Sequence, residues 1–269
     1  MTSLDERSAL QQQVADLEAE GEDFHTLLLK LSPHDWDRVT AFKDWTVYDV
    51  VGHLHFSDHM GMTTLNSSEA FKALMRDVQG SGLGLAAYTR RWLGDVSGPE
   101  LRERWRELFN LLCRRLAAAA PDQRLTWGGP GMRPRMFATA RQMETWAHAW
   151  EIYDLLGIPR AHTDRLYNIA TIGVRTFGWT FANRGLEPPE EAPYVRLAAP
   201  SGAIWEWNDP AARSRVEGDA VAFCQVVTQV RNVADTDLLV AGEAARRWMD
   251  MAQCFAGPPE EPPAPGTRG

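Results

Sequence analysis

Apolar residues recur at helical spacing through the first two thirds of the chain. Leu10, Val14 and Leu17, then Leu27, Leu28 and Leu31, mark a long amphipathic stretch over residues 4–31. Spacings of three and four place such residues on one buried helix face. Ser32-Pro33 closes the stretch, because proline disfavours helical backbone in the residue before it. A second helix starts sharply at Thr46. The Thr46 hydroxyl can accept from a free amide of the first turn, and Asp49, three residues on, can return the bond. Trp45 and Val50 stand where a hydrophobic staple would close that start. The pattern carries this helix to about residue 78. A glycine-rich break at 80–84 follows, then helices over 85–93 and 99–120, with Ser97 and Pro99 as start signals. Residues 128–131 read as a loop. Residues 135–156 form another helix stopped by Gly157 and Pro159, and 164–183 a further one.

Beyond residue 186 the period changes. Residues 187–193, rich in proline and glutamate, read as a linker. Residues 194–199 and 203–207 alternate as strands do. A helix over 216–229, a short strand over 238–240 and a last helix over 243–255 complete a small α+β unit. The expected layout is a helical bundle over 1–186, the linker 187–193, the α+β domain 194–256 and a disordered proline-rich tail 257–269.

The composition is 44% hydrophobic and 24% charged over 269 residues, ordinary for a soluble globular protein of one or two domains. A net charge of −8 argues against nucleic acid or an anionic membrane as partner, since both require a basic face. The first residues carry neither the basic nor the apolar region of a signal peptide. No apolar run approaches the roughly 20 residues of a membrane-spanning helix. Cys113, Cys224 and Cys254 are odd in number, widely spaced and without a CxxC pattern. A disulfide framework and a thiolate zinc site are therefore not expected, and a reducing cytoplasmic setting is. Only three of the 28 basic residues are lysines (Lys30, Lys43, Lys72), a bias we read as the mark of a GC-rich genome.

Two segments carry candidate chemistry. In the first, Val47, Val50, Val51 and Leu54 form the apolar stripe of the second helix. At about 100° per residue, His53 falls on one flank of that stripe and Asp58 on the other. In the second, Glu144 and His148 are four residues apart and share one face of a largely apolar helix. A shared metal ion is one way to offset the cost of burying such groups. A ligand pair at i,i+4 facing a ligand from another helix is how metal sites in bundles are built. Two histidines and one carboxylate leave positions open for water or substrate. Plainer readings stand beside this one. A His/Glu pair at this spacing commonly forms a solvated hydrogen bond, and a lone histidine is commonly a core or surface residue. His55 and His59, also four apart, offer a rival site with Asp58.

The segment from Trp45 to Leu54, followed by Asp58, resembles the N-terminal motif of the mycothiol-dependent maleylpyruvate isomerase family within the DinB-like metal-binding superfamily. The segment with Glu144 and His148 resembles that family's later motif. The resemblance covers about residues 5–256. It implies a mainly α fold: a DinB-like four-helix bundle followed by a small sterol-carrier-like α/β domain. It implies that His53, Glu144 and His148 bind a divalent metal, usually zinc, and that a basic residue of the second domain is directed to the active site, with Arg231 the candidate. It also implies mycothiol, or another low-molecular-weight thiol, as cofactor and a small molecule as substrate. Mycothiol is an actinobacterial thiol, and the arginine-rich composition is compatible with that.

The activity so implied is thiol-dependent isomerisation or S-transfer on a small electrophile. In such a site Asp58 is our own candidate to orient His53 or a bound water. Metal-assisted hydrolysis and non-enzymatic ligand or metal binding are the alternatives. The chain reads as a member of unassigned activity, nearer to uncharacterised metal-binding paralogues than to a proven maleylpyruvate isomerase. The sequence sets no oligomeric state.

Overall fold

A computed structural model describes residues 3–127 and 129–268. The chain divides into two compact units, Met1–Ile158 and Pro159–Gly269.

In the first unit, α1 (Ser3–Leu28) leads through a 3-10 turn (Pro33–Asp37) to α2 (Val47–Asn66), α3 (Ser68–Gly80), α4 (Leu85–Leu93) and α5 (Gly98–Ala118). A strand pair, β1 (Leu125–Trp127) and β2 (Gly129–Met132), precedes α6 (Pro134–Leu156). The long helices α1, α2, α5 and α6 pack on one another, with α1 and α2 each against both α5 and α6. The stripe Val47, Val50, Val51 and Leu54 is fully buried in the core between them. Each such side chain contributes about 1.5–3 kcal/mol by leaving water.

Local chemistry sets the ends of α2. Thr46 Oγ1 accepts from the Asp49 amide at 3.2 Å and the Asp49 carboxylate accepts from the Thr46 amide at 2.9 Å, so two free donors of the first turn are satisfied reciprocally. Arg90 of α4 braces the same carboxylate. At the other end the helix stops at Asn66, short of the expected residue 78. Ser67 is extended (φ −160°) and its hydroxyl accepts from the Ala70 amide, which caps α3. The apolar pattern runs on through Phe71 and Val78, and so hides the break.

A small hairpin leads into α2. Val39 and Thr46 form a bridge, Thr40 N donates to Trp45 O at 2.7 Å, and Trp45 N donates to Phe42 O at 2.8 Å. The residues at the tip, Lys43 and Asp44, have φ of 51° and 55°. The stretch 128–131, expected as a loop, lies largely in β2, which pairs antiparallel with β1. Gly128 lies outside the described residues. Pro134 opens α6, and Gly157 in the left-handed region (φ 63°) closes it.

The second unit runs α7 (Leu166–Arg175), α8 (Phe177–Ala182), β3 (Tyr194–Ala198), β4 (Ile204–Trp207), β5 (Arg215–Asp219), α9 (Ala220–Val227), β6 (Leu239–Ala241) and α10 (Glu243–Met249). Its sheet has the order β4-β3-β5-β6. The β3–β5 pair is parallel and the other two pairs are antiparallel.

Three features differ from expectation. Residues 216–219, expected as helix, belong to β5. The Asp219 side chain accepts from the amides of Val221 and Ala222 and so starts α9 after the strand. Second, α7 and α8 pack with α9 and α10, so the chain divides after Ile158 and not after residue 186. Composition marks the loop at 187–193, but it cannot show which core a preceding helix joins. Third, the tail expected to be disordered is held by hydrogen bonds. Asn232 donates to Pro263 O at 2.9 Å, and Gly266 N donates to the Asp235 carboxylate at 2.8 Å. Among the described residues no helix is long and apolar enough to cross a membrane.

Candidate metal centre

α2 and α6 bring His53, Glu144 and His148 together. Among the described residues they form one group of potential ligands, with donor atoms all within 4.8 Å of one another. The i,i+4 spacing stacks Glu144 and His148 on one face of α6. Glu144 Oε2 lies 3.6 Å from His53 Nε2 and 3.5 Å from His148 Nε2. Donors that bind a zinc ion at about 2.0–2.2 Å stand about 3.4 Å apart in a tetrahedron. The observed spacing fits one ion between them. The side chains of His53, Glu144 and His148 are 16, 25 and 11% exposed, so the cluster is largely buried.

The electrostatics suit the same use. Burial pushes the His53 imidazole down, which keeps it in the neutral form a metal ligand requires. Burial resists charge on Glu144, but the imidazoles of His148 and His53 outweigh it and hold the carboxyl well below the usual carboxylate range. The second nitrogen of His53, Nδ1, is buried without a hydrogen-bond partner among the described residues. In that respect His53 departs from the common pattern, in which a ligating histidine donates its other N–H to a neighbour.

The hairpin before α2 supplies the wall of the site. The Trp45 ring lies 5.3 Å from that of His53 and is stacked on that of His148 at 6.2 Å. Phe42 meets His148 edge-on at 5.1 Å. The two histidine rings are 4.7 Å apart. The sequence marked Trp45 as a staple and as the first residue of the family-like motif, and gave no reason to single out Phe42. The fold puts both in the site because the hairpin turns back over the start of α2.

Asp58, His55 and His59, also on α2, are turned to other neighbours. Asp58 is fully buried, and the hydrogen bonds to its carboxylate come from Arg141 Nε at 2.9 Å and Trp105 Nε1 at 3.1 Å. Among the described residues it therefore makes no direct hydrogen bond to His53, one of the two roles expected of it. Burial pushes its carboxyl up, against the pull of the Arg141 guanidinium. His55 and His59 face the Trp92 ring at 5.3 and 4.9 Å, and Asp58 is taken by Arg141 and Trp105, so the rival site does not assemble. Arg231, in the second unit, is buried, and its Nη1 donates to Val230 O at 3.0 Å. Sequence reasoning missed Arg141. The available signal was a charged residue three positions before Glu144, within one turn of it on the same helix.

A helical unit with this donor set, followed by a small α/β unit, has known relatives. Residues 17–153 match the family model described as the mycothiol maleylpyruvate isomerase N-terminal domain, and the chain belongs to that family. It is 39% identical over 246 residues to an uncharacterized protein of Mycobacterium tuberculosis strain CDC 1551 / Oshkosh, with 91% of this chain and 96% of the relative covered. The same figures hold for an uncharacterized protein of strain ATCC 25618 / H37Rv. Among solved structures, it is similar to the mycothiol-dependent maleylpyruvate isomerase with a TM-score of 0.56 at 12% identity, covering 86% of this chain and 92% of that one. A histidine-to-alanine mutant of that isomerase matches with a TM-score of 0.53 at 12% identity, over 81% and 88% of the two chains. At that identity the likeness establishes a shared fold, the mainly helical architecture with a small α/β unit that the sequence implied.

Proposed function

We propose that this protein is a metal-dependent enzyme that uses a low-molecular-weight thiol of the mycothiol type to isomerise a small electrophile or to transfer sulfur to it. The convergence of His53, Glu144 and His148 carries the reading. Membership of the family and the fold shared with a mycothiol-dependent isomerase support it.

A divalent metal such as zinc, when bound, supplies Lewis acidity that keeps a thiol deprotonated at neutral pH. The residues do the rest. His53 and His148 offer neutral nitrogen donors, and Glu144 offers a carboxylate that balances part of the charge. Three protein donors leave a position open, as catalytic centres do. Trp45 and Phe42 shield the imidazoles and keep their orientation. Arg231 belongs to the same proposal as the cation for an acidic substrate. Addition of the thiol sulfur to a cis double bond, rotation and expulsion of the same thiol regenerates it and gives the trans isomer. Expulsion of a leaving group instead gives a thioether. The burial of Cys113, Cys224 and Cys254 as thiols outside any disulfide supports a reducing, cytoplasmic setting.

The test is elemental analysis of protein purified without a histidine tag, followed by assays on unsaturated acids with and without mycothiol. The expected result is about one metal per chain, lost in His148→Ala, and turnover only with thiol. Turnover without thiol would replace this reading by metal-assisted hydrolysis. Metal without any turnover would replace it by ligand binding.

A further inference from the structure

We infer that Arg141, with Asp58 and Trp105, is a positioning clamp that sets α2 against α6 so that His53 meets Glu144 and His148. The inference rests on the metal-centre reading above.

Arg141 lies on α6, three residues before Glu144, and its side chain is 3% exposed. Its guanidinium reaches across to two points on α2. Nε donates to Asp58 at 2.9 Å, and Nη2 donates at 3.4 Å to the carbonyl of Leu54, the residue that follows His53. Leu54 and Asp58 are one helical turn apart. One rigid, planar group is therefore bonded to two residues of α2 that are four apart, one of them next to a ligand in the sequence. Trp105 of α5 donates to the other oxygen of Asp58 at 3.1 Å, which ties the third helix to the same carboxylate. A shift of α2 along α6 by half a turn would break both Arg141 bonds and carry His53 away from Glu144.

Stability alone gives little reason for such a pair. Desolvating two charges offsets most of their attraction, and well-packed apolar residues often do as well. A buried ion pair next to an apolar stripe is better explained by what it specifies. The apolar contacts of α2 tolerate small slides, whereas a fork that must meet a carboxylate and a particular carbonyl does not. The same geometry explains why Asp58 has no bond to His53. It acts through the helix backbone.

The probe is Co2+, followed by its visible ligand-field absorption, which reports both affinity and coordination geometry. Two variants are compared with wild type and His148→Ala: Arg141→Lys, which keeps the charge and loses the fork, and the charge-free pair Asp58→Leu/Arg141→Met, which keeps an apolar interior. Circular dichroism melting checks that each is folded. The expected result is Co2+ affinity weaker by about 10- to 100-fold with an altered spectrum in the folded variants. Arg141→Lys should be the milder of the two. Wild-type affinity and spectrum in a folded variant would overturn the clamp. If one variant fails to fold, the other decides. No Co2+ uptake by wild type would sink the metal centre itself, and the clamp with it, which separates the two failures.

Discussion

Lys43 and Asp44 stand side by side with φ of 51° and 55°, and the turn they form holds Phe42 and Trp45 against the imidazoles of His53 and His148. Positive φ at both central positions is the type I′ pattern, which favours Asn-Gly. Each non-glycine residue there costs about 1 kcal/mol or more, and strain of this kind collects at functional sites. Lys43→Asn combined with Asp44→Gly should therefore raise the unfolding free energy by about 1 kcal/mol. Urea denaturation would show it. No gain, or a loss, would mean that the turn is not strained.

Binding of metal to the folded chain must also appear as stability. At a free zinc concentration about 100 times the dissociation constant, the folded state gains about 2.7 kcal/mol. Thermal melts with zinc and with a chelator should differ accordingly, and His148→Ala should show no difference. A wild-type melting temperature indifferent to zinc would contradict the centre.

Gly21 sits inside α1, where α5 comes close. A β-carbon there would collide with the Phe109 ring, which is itself buried. Alanine is the better helix former by about 1 kcal/mol, but overpacking of this kind costs about 1–3 kcal/mol. Gly21→Ala is expected to lower stability by up to about 2 kcal/mol. Chemical denaturation that found the variant more stable would show that α1 and α5 separate readily.

In the second unit, burial and then the nearby Arg160 push the His162 imidazole down to about 4 from 6.5. The unfolded chain takes up this proton near pH 6.5, while the folded chain resists it until about pH 4. The unfolded state thus binds more protons across that window, and stability falls as pH drops through it. His162→Gln should flatten the decline between pH 6.5 and pH 4 relative to wild type, read from denaturation midpoints at several pH values. Parallel pH profiles would rule the contribution out.

The features that could be read in the sequence are local ones. The Thr46–Asp49 capping box, the proline stop after α1 and the glycine stop after α6 depend on residues within one turn. The Glu144–His148 spacing is likewise a property of one helix. His53 needed a motif to connect it to them, since nothing in its own helix says which helix it faces. What was hidden depends on partners distant in sequence. β5 exists because β3 and β6 flank it. Arg141 has meaning only with Asp58, and α7 joins the second unit because α9 offers it a surface. Ser67 is an exception of another kind. The break it makes is local, but an apolar pattern that continues across it drowned the signal.

The pairing of α1 with α6 has a consequence for biosynthesis. These are the first and last helices of the first unit, and they meet through contacts such as the buried bond from Gln13 to Gln142, residues 129 positions apart. A nascent chain cannot close this core until α6 has cleared the ribosome. Until then the faces of α1 and α2 that pack on α6 lack that partner. His53 is made long before Glu144 and His148, so the ligand set is completed by the same helix that completes the core. Capture of a metal by the proposed centre and closure of the first unit would therefore become possible at the same stage of translation.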